Sequence, residues 1–351
     1  MRTADVLRLL ALAIIWSASF VFVRVLAPVI GPVWVATARL LLGGGALVLA
    51  FIAMRRHGDV GRHWRAYLFI GVVNSSLPFL LFAYAALTLP ASYLVILNAA
   101  LPLFGAVASA ATLGEPLTLR KMGGLTAGVA GVLLVSRAGP IVPDRSFALA
   151  LAASLAAVLC YAVAGVWLKR RGGALQPVAV AGWSQLLGGL ALLPIAAFVP
   201  ARGDITSTIL IDVLLLALVC SALAYLLYFR LIADIGPTRA MTVTFLMPAF
   251  GVLWGGLFLH ETITLPMLAG AALIVGGTMG VLGPRQSRLQ TLRASPFRKM
   301  RSWSASRQHP LQQTIVSHEM VVERRGDVEA DHHKHRPPQP RVHVAGLHAD
   351  P

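Results

Sequence analysis

A chain of 351 residues with 57% hydrophobic side chains, only 13% charged ones and a mean hydropathy of +0.74 lacks the polar surface of a soluble domain, where about a quarter of residues are charged. Its net charge of +16 would suit a nucleic-acid partner, but most Lys and Arg residues sit in short connections between apolar runs, which points to a membrane and away from nucleic acid. The two cysteines, Cys160 and Cys220, lie inside apolar runs, so neither a disulfide framework nor a metal site is implied, and no cofactor is expected.

A spanning helix needs about 20 mostly apolar residues. That length divides the chain into ten spans at roughly 7–27, 32–54, 67–88, 91–112, 119–136, 147–168, 177–199, 209–232, 237–259 and 265–282. The first shows no small-residue cleavage pattern before Pro28 and reads as a retained helix, not a cleavable signal. Turn-formers mark the connections: Pro28, Gly31 and Pro32, then Pro90, Gly139-Pro140, Gly172-Gly173, Pro200 with Gly203, and Gly236-Pro237. Irregular backbone is not tolerated against lipid, so the expected fold is an all-α polytopic membrane protein of ten transmembrane helices.

Loop charges give the orientation. With the N-terminus inside, the inner segments carry Arg2, Arg8, Arg55, Arg56, Arg62, Arg65, Arg120, Lys121, Lys169, Arg170, Arg171, Arg230 and Arg239, whereas the outer ones carry only Arg137, Arg145 and Arg202. Both termini are therefore expected in the cytoplasm of a bacterial inner-membrane protein.

The sequence also repeats. A shift of 146 brings Ser75 onto Ser221, Pro102 onto Pro248, Phe104-Gly105 onto Phe250-Gly251, Glu115 onto Glu261, Thr118-Leu119 onto Thr264-Leu265, Gly124 onto Gly270 and Gly131 onto Gly277. Nearer the start, a shift of 145 aligns Pro32 with Pro177 and Leu41-Leu42-Gly43-Gly44 with Leu186-Leu187-Gly188-Gly189. Five spans is an odd number, so the second repeat must be upside down. The loop charges agree: the basic loop after the second span has a counterpart holding only Arg202, and the uncharged loop after the first has a counterpart holding Lys169, Arg170 and Arg171. Inverted repeats with a midplane site are a device of alternating-access transporters. The expected divisions are 1–140, 141–284 and a basic tail at 285–351.

The paired segments Pro102-Leu103-Phe104-Gly105 to Gly114-Glu115-Pro116-Leu117-Thr118, and Pro248-Ala249-Phe250-Gly251 to His260-Glu261-Thr262-Ile263-Thr264, resemble the drug/metabolite transporter superfamily in its ten-span EamA-type branch, over roughly residues 7–284. Ile15-Trp16-Ser17-Ala18-Ser19-Phe20 is similar to that family's first helix, and Arg39 to the arginine often found in its second. The resemblance implies export of amino acids, other metabolites or toxic compounds. Its four-helix multidrug relatives carry an acidic residue in the first helix; Trp16, Ser17 and Ser19 stand there instead, which argues against proton coupling at that place and leaves facilitated export or another coupling.

Polar groups inside spans are costly when unpaired and mark the candidate site: Asn74, Ser75 and Ser76 ahead of Pro78, Asn98 one turn before Pro102, and Thr242 and Thr244 before Pro248. Each proline frees a carbonyl one turn back, and Asn98 and Thr244 are repeat equivalents expected to face one another. The competing role is bonding between helices. Trp16, Tyr84, Tyr161, Tyr225 and Trp254 are candidate wall residues, Trp16 and Tyr161 first because they correspond under the repeat; ordinary packing competes. Arg39 must pair or reach the interface, and Glu115 and Glu261, at helix ends on opposite faces, suit capping or tethering. Glycines four apart, as at Gly124/Gly128, Gly251/Gly255 and Gly276/Gly280, permit close helix contact and form no nucleotide loop.

The tail has the composition of a solvated segment attracted to anionic headgroups; metal binding by His332, His333 and His335 is the rival use. The expected function is a permease moving a small-molecule solute outward, with membrane lipids as its surroundings and a homodimer as the candidate oligomer. A non-transporting scaffold or sensor working through the tail is the alternative. Enzymatic activity is not expected, because no His, Cys, Asp and Glu residues gather at one depth.

Overall fold

The computed structural model describes residues 2–55, 60–137, 144–171, 175–201 and 203–282. Arg56, Arg202 and the entire tail, with its histidines, lie outside the described residues. Every regular element among those described is helical. The first two spans are α1 (Thr3–Ile30) and α2 (Pro32–Ala53); the third is α3 (Val60–Gly71), a π-helical stretch Val72–Ser76 and α4 (Leu77–Ala85); the fourth is α5 (Ala91–Asn98) with α6 (Leu101–Leu113). There follow α7 (Leu119–Arg137), α8 (Arg145–Arg171) and α9 (Pro177–Phe198). The eighth span is α10 (Ser207–Leu214), a second π-helical stretch Leu215–Leu223 and α11 (Ala224–Ile235); the ninth is α12 (Pro237–Ala240) with α13 (Val243–Leu259); the tenth is α14 (Leu265–Leu282). Eight spans are long and apolar enough to cross a bilayer unaided, and the last two are shorter.

Two boundaries differ from expectation for physical reasons. The third span begins at Val60, not near 67, because its first turns hold Arg62, His63, Trp64 and Arg65, which suit the interface and not the hydrocarbon. The ninth span is not one helix: Met241 and Thr242 form a turn in which Thr242 N donates to Arg239 O and Phe245 N to Thr242 O, both at 3.1 Å. Pro248 then lies inside α13 without ending it. In the fourth span the break falls at Ala99–Ala100, just ahead of Pro102, where Ala100 N donates three residues back to Leu97 O at 3.1 Å.

The repeat is visible in the contacts. A Cβ placed on Gly124 would lie 2.5 Å from Gly277 O, and one on Gly131 would lie 2.7 Å from Gly270 O; since Gly124 corresponds to Gly270 and Gly131 to Gly277, α7 and α14 cross antiparallel on a pseudo-two-fold axis. The α2–α9 pair obeys the same symmetry: Gly44 meets Gln185 and Leu186, while its equivalent Gly189 meets Leu40 and Leu41. The two π-helical stretches are also equivalent, since 72–76 shifted by 146 falls within Leu215–Leu223.

Symmetry holds at the helix ends. α6 closes on Gly114 at φ +65°, and α13 closes on His260 at φ +50°; Gly114 N donates to Ser109 O and His260 N to Gly255 O, the same six-residue closure around a left-handed residue at both ends. Glycine adopts this conformation freely, whereas a histidine there carries strain of about 1 kcal/mol.

Candidate functional site

Arg39 lies two turns into α2, past the Gly31 turn and the Pro32 start that fix the helix. An arginine at the centre of a span costs about 2.5–3.5 kcal/mol to insert, so its surroundings must compensate. It is 9% exposed. Its Nε donates to Ser221 Oγ at 2.9 Å, and that hydroxyl donates to Leu216 O, five residues back, at 3.3 Å, a reach the π turn opens. The guanidinium carbon stands 4.0 Å from the centroid of the Phe79 ring, a cation–π contact worth roughly 2 kcal/mol when desolvated. Tyr161, Tyr225 and Cys220 are within electrostatic reach. Among the described residues no carboxylate forms an ion pair with it.

Aromatic rings surround this cation at mid-span. Trp16 meets Tyr225 edge-on at 6.0 Å between centroids and Tyr228 at 5.2 Å. Tyr161 meets Phe82 at 6.4 Å, and Phe82 meets Phe20 at 5.3 Å. Trp16, Tyr161 and Tyr225 are half-buried, so one wall holds three of the residues singled out in the sequence. Trp16 and Tyr161 belong to it without touching each other's rings.

The remaining candidates are more scattered. Asn98 is buried at the end of α5 and Asn74 is half-buried in the first π stretch; neither amide makes a hydrogen bond among the described residues. Thr244 Oγ1 donates to Met241 O at 2.8 Å and Thr242 Oγ1 to Arg239 O at 2.7 Å, so both threonines bond their own chain and Thr244 does not bond Asn98. Trp254 Nε1 donates to Ile14 O at 3.3 Å. Tyr84 is 42% exposed. Ser221, Phe79 and Tyr228 were not among the sequence candidates. Ser221 was legible as the twin of Ser75; Phe79 and Tyr228 carry no signal that separates them from other apolar residues.

The two glutamates do different work. At the face opposite the N-terminus, Glu261 Oε1 accepts from Ala91 N at 2.6 Å and Oε2 from Ser92 N at 3.1 Å, with a further bond from Ser92 Oγ. It thus caps α5 across the repeat boundary. A cavity of about 390 Å³ lies there, lined by Arg24, Val25, Pro28, Pro90, Leu259 and Glu261. At the N-terminal face, Glu115 pairs instead with Lys169 of α8 and, at 3.6 Å, with Lys121 of α7. Its hydrogen bond from Lys169 holds the Glu115 carboxyl below the usual carboxylate range, against an opposing push from partial burial.

The same asymmetry runs along the fourth and ninth spans. All of α5 is buried, and a Cβ on Gly251 would stand 2.7 Å from three atoms of the Val95 side chain. α6 has no buried residue after Ala106, and its Gly105, the equivalent of Gly251, has nothing within 4 Å of a Cβ. Pro102 lies in the first turn of α6 and Pro248 inside α13.

Comparison with known proteins agrees with this architecture. The chain is 26% identical to the uncharacterized transporter YvbV of Bacillus subtilis over 276 residues, covering 78% of this chain and 90% of that one. It is 28% identical to protein PecM of Dickeya dadantii over 266 residues, covering 74% and 86%. A solved crystal structure shares the fold with a TM-score of 0.57 at 19% identity, over 80% of this chain and 96% of the other. The EamA-like transporter family matches twice, at residues 4–137 and 148–283. The chain therefore belongs to the EamA-like transporter family of the drug/metabolite transporter superfamily, and is an integral membrane permease.

Proposed function

We propose that the protein exports a small organic metabolite, an amino acid or a drug-like compound, across a bacterial cytoplasmic membrane by alternating access, with both termini inside. One observation carries this: the Val95–Gly251 contact is made and its repeat twin is not. Shifted by 146, that contact becomes Met241 against Gly105, and Gly105 faces open space. A symmetric pair of contacts with only one member formed is what an alternating-access bundle has in one of its two states. The made contact lies at the face away from the N-terminus, so the open side is the cytoplasmic one by the loop charges, the side from which an exporter loads.

Trp16, Tyr161, Tyr225, Asn74 and Asn98 form or adjoin the loading site in this reading, with Thr244 offering the carbonyl that Pro248 leaves unbonded. Efflux of labelled amino acids and toxic amines from cells making the protein, beside an Asn98→Ala variant, tests it. Efflux of a solute that falls severalfold in the variant supports the proposal. Absence of efflux for every solute, with the protein inserted at normal level, overturns it.

A further inference from the structure

A buried arginine with no acid beside it is an unfinished ion pair. Five N–H donors leave Arg39. The Nε donor is satisfied by Ser221, but the two terminal amino groups, with the other four, make no hydrogen bond among the described residues. Two contacts locate the guanidinium: its carbon lies 4.0 Å from the Phe79 ring centroid, and its Nε is bonded to Ser221. What remains is a fork of four N–H groups without a bond among the described residues, the donor set that binds a planar carboxylate through two parallel bonds. The phenols of Tyr161 and Tyr225 stand within electrostatic reach of it, and neither makes a hydrogen bond among the described residues, so two further donors are at hand for an anion.

The repeat gives an internal control. Arg39 shifted by 145 is Ser184, and Ser221 shifted back by 146 is Ser75. The helices approach equally at both places, a Cβ on Gly188 standing 2.8 Å from Gly71 O and one on its equivalent Gly43 standing 2.8 Å from Ala217 O, yet the second place holds a serine where the first holds the cation. The same packing is therefore reached with a serine at this position. The first repeat instead keeps a charge that is costly to insert and leaves its fork unbonded among the described residues.

We propose that Arg39 is the anchor for a carboxylate on the transported solute, with Tyr161 and Tyr225 as flanking donors, so that the site takes organic anions and zwitterions and rejects simple cations. This rests on the permease function proposed above and narrows its solute class from amino acid or drug-like compound to carboxylate-bearing compounds.

The test uses matched probes that differ at one group: leucine, phenylalanine and benzoate against leucinamide, phenylalaninamide and benzamide, with tetraphenylphosphonium as a cation. Ligand-induced shifts in melting temperature of the purified protein report binding, and flux from proteoliposomes reports transport. At least one carboxylate should stabilise the protein where its amide does not. The shift should vanish in Arg39→Gln and weaken about tenfold in Arg39→Lys, which keeps the charge but loses the fork. If Arg39→Gln does not fold, Arg39→Lys and the acid–amide comparison on the unaltered protein decide the matter. Equal binding of amides or of the phosphonium, an undiminished carboxylate shift in Arg39→Lys and Arg39→Gln, or no carboxylate shift at all, each overturns the anchor. Flux of a neutral or cationic probe that is indifferent to Arg39→Gln overturns the anchor and leaves the permease. Carboxylate binding that depends on Arg39 without any flux keeps the anchor and removes the permease.

Discussion

Gly251 and Gly105 occupy one position of the repeat, as do Glu261 and Glu115, yet each pair is split between a closed end and an open one. Gly251 is pressed against Val95 while Gly105 meets nothing, and Glu261 caps α5 while Glu115 pairs with lysines. Equal local sequence therefore does not mean equal local energy. The α7–α14 and α2–α9 contacts keep the two-fold relation; the fourth and ninth spans break it, and a movement that interconverts two states must act where symmetry is broken.

The largest effect should come from filling the closed side. Gly251→Leu drives a side chain into Val95, and overpacking of this kind costs roughly 1–3 kcal/mol; a lower melting temperature in detergent and efflux reduced at least about tenfold are expected. Gly105→Leu should leave the melting temperature within about 0.5 kcal/mol of the unaltered protein, because no atom is in the way, but it should still slow efflux by obstructing the contact with Met241. Equal melting losses in both variants would break the comparison.

Next in size is the glutamate pair. Glu261→Ala strips the α5 terminus of its charged acceptor, a loss of about 1–3 kcal/mol, whereas Glu115→Ala removes partly exposed ion pairs worth under about 1 kcal/mol. Denaturation of the two variants side by side gives the order, and a larger loss for Glu115→Ala would contradict it. His260→Gly should raise stability by up to about 1 kcal/mol, since it gives the second repeat the residue that suits the left-handed cap of the first.

The smallest effect is the pH response of Glu115. Its carboxyl titrates below the usual range because Lys169 bonds the charged form. The stabilisation is thus fully present above the ordinary carboxylate pKa of about 4.3 and is lost as pH falls through the lowered value. Melting curves of the unaltered protein and Glu115→Gln should run parallel between pH 7 and 5 and converge below about pH 4; convergence at higher pH would show that the lysine bond does not form.

Much of this was legible in sequence because the relevant physics is local or periodic. Apolar run length gave ten spans, and the odd number of spans per repeat gave the inversion. Pro102 signals a freed carbonyl one turn back, and the fourth span, a single run in the sequence, breaks at Ala99–Ala100 just ahead of it, since the missing proline N–H acts on its own helix. The break at Met241–Thr242 left no such mark, and Pro248, which signals a freed carbonyl in the same way, sits inside α13. Arg39 could be flagged as a charge in need of a partner, but Phe79 and Ser221 are brought to it by packing across two other spans, and no spacing in the chain records that. The aromatic wall was half legible: Trp16, Tyr161 and Tyr225 stood out by type, while Tyr228 and Phe82 joined them only through the fold. The different partners of Glu115 and Glu261 were not legible at all, because the same residue at equivalent positions carries no record of what packs against it.

The glycine crossing of α7 and α14 bears on how the protein is made. α7 is the least hydropathic of the eight long spans and the least buried, and its close partner is the last of the described helices to be synthesised. At ribosomal speeds of 5–20 residues per second, roughly ten seconds pass before Gly270 and Gly277 arrive to cover Gly131 and Gly124. During that interval a weakly apolar, glycine-lined helix waits in the bilayer with its backbone uncovered. Nascent chains cut short before α14 should accordingly be the ones membrane proteases remove first.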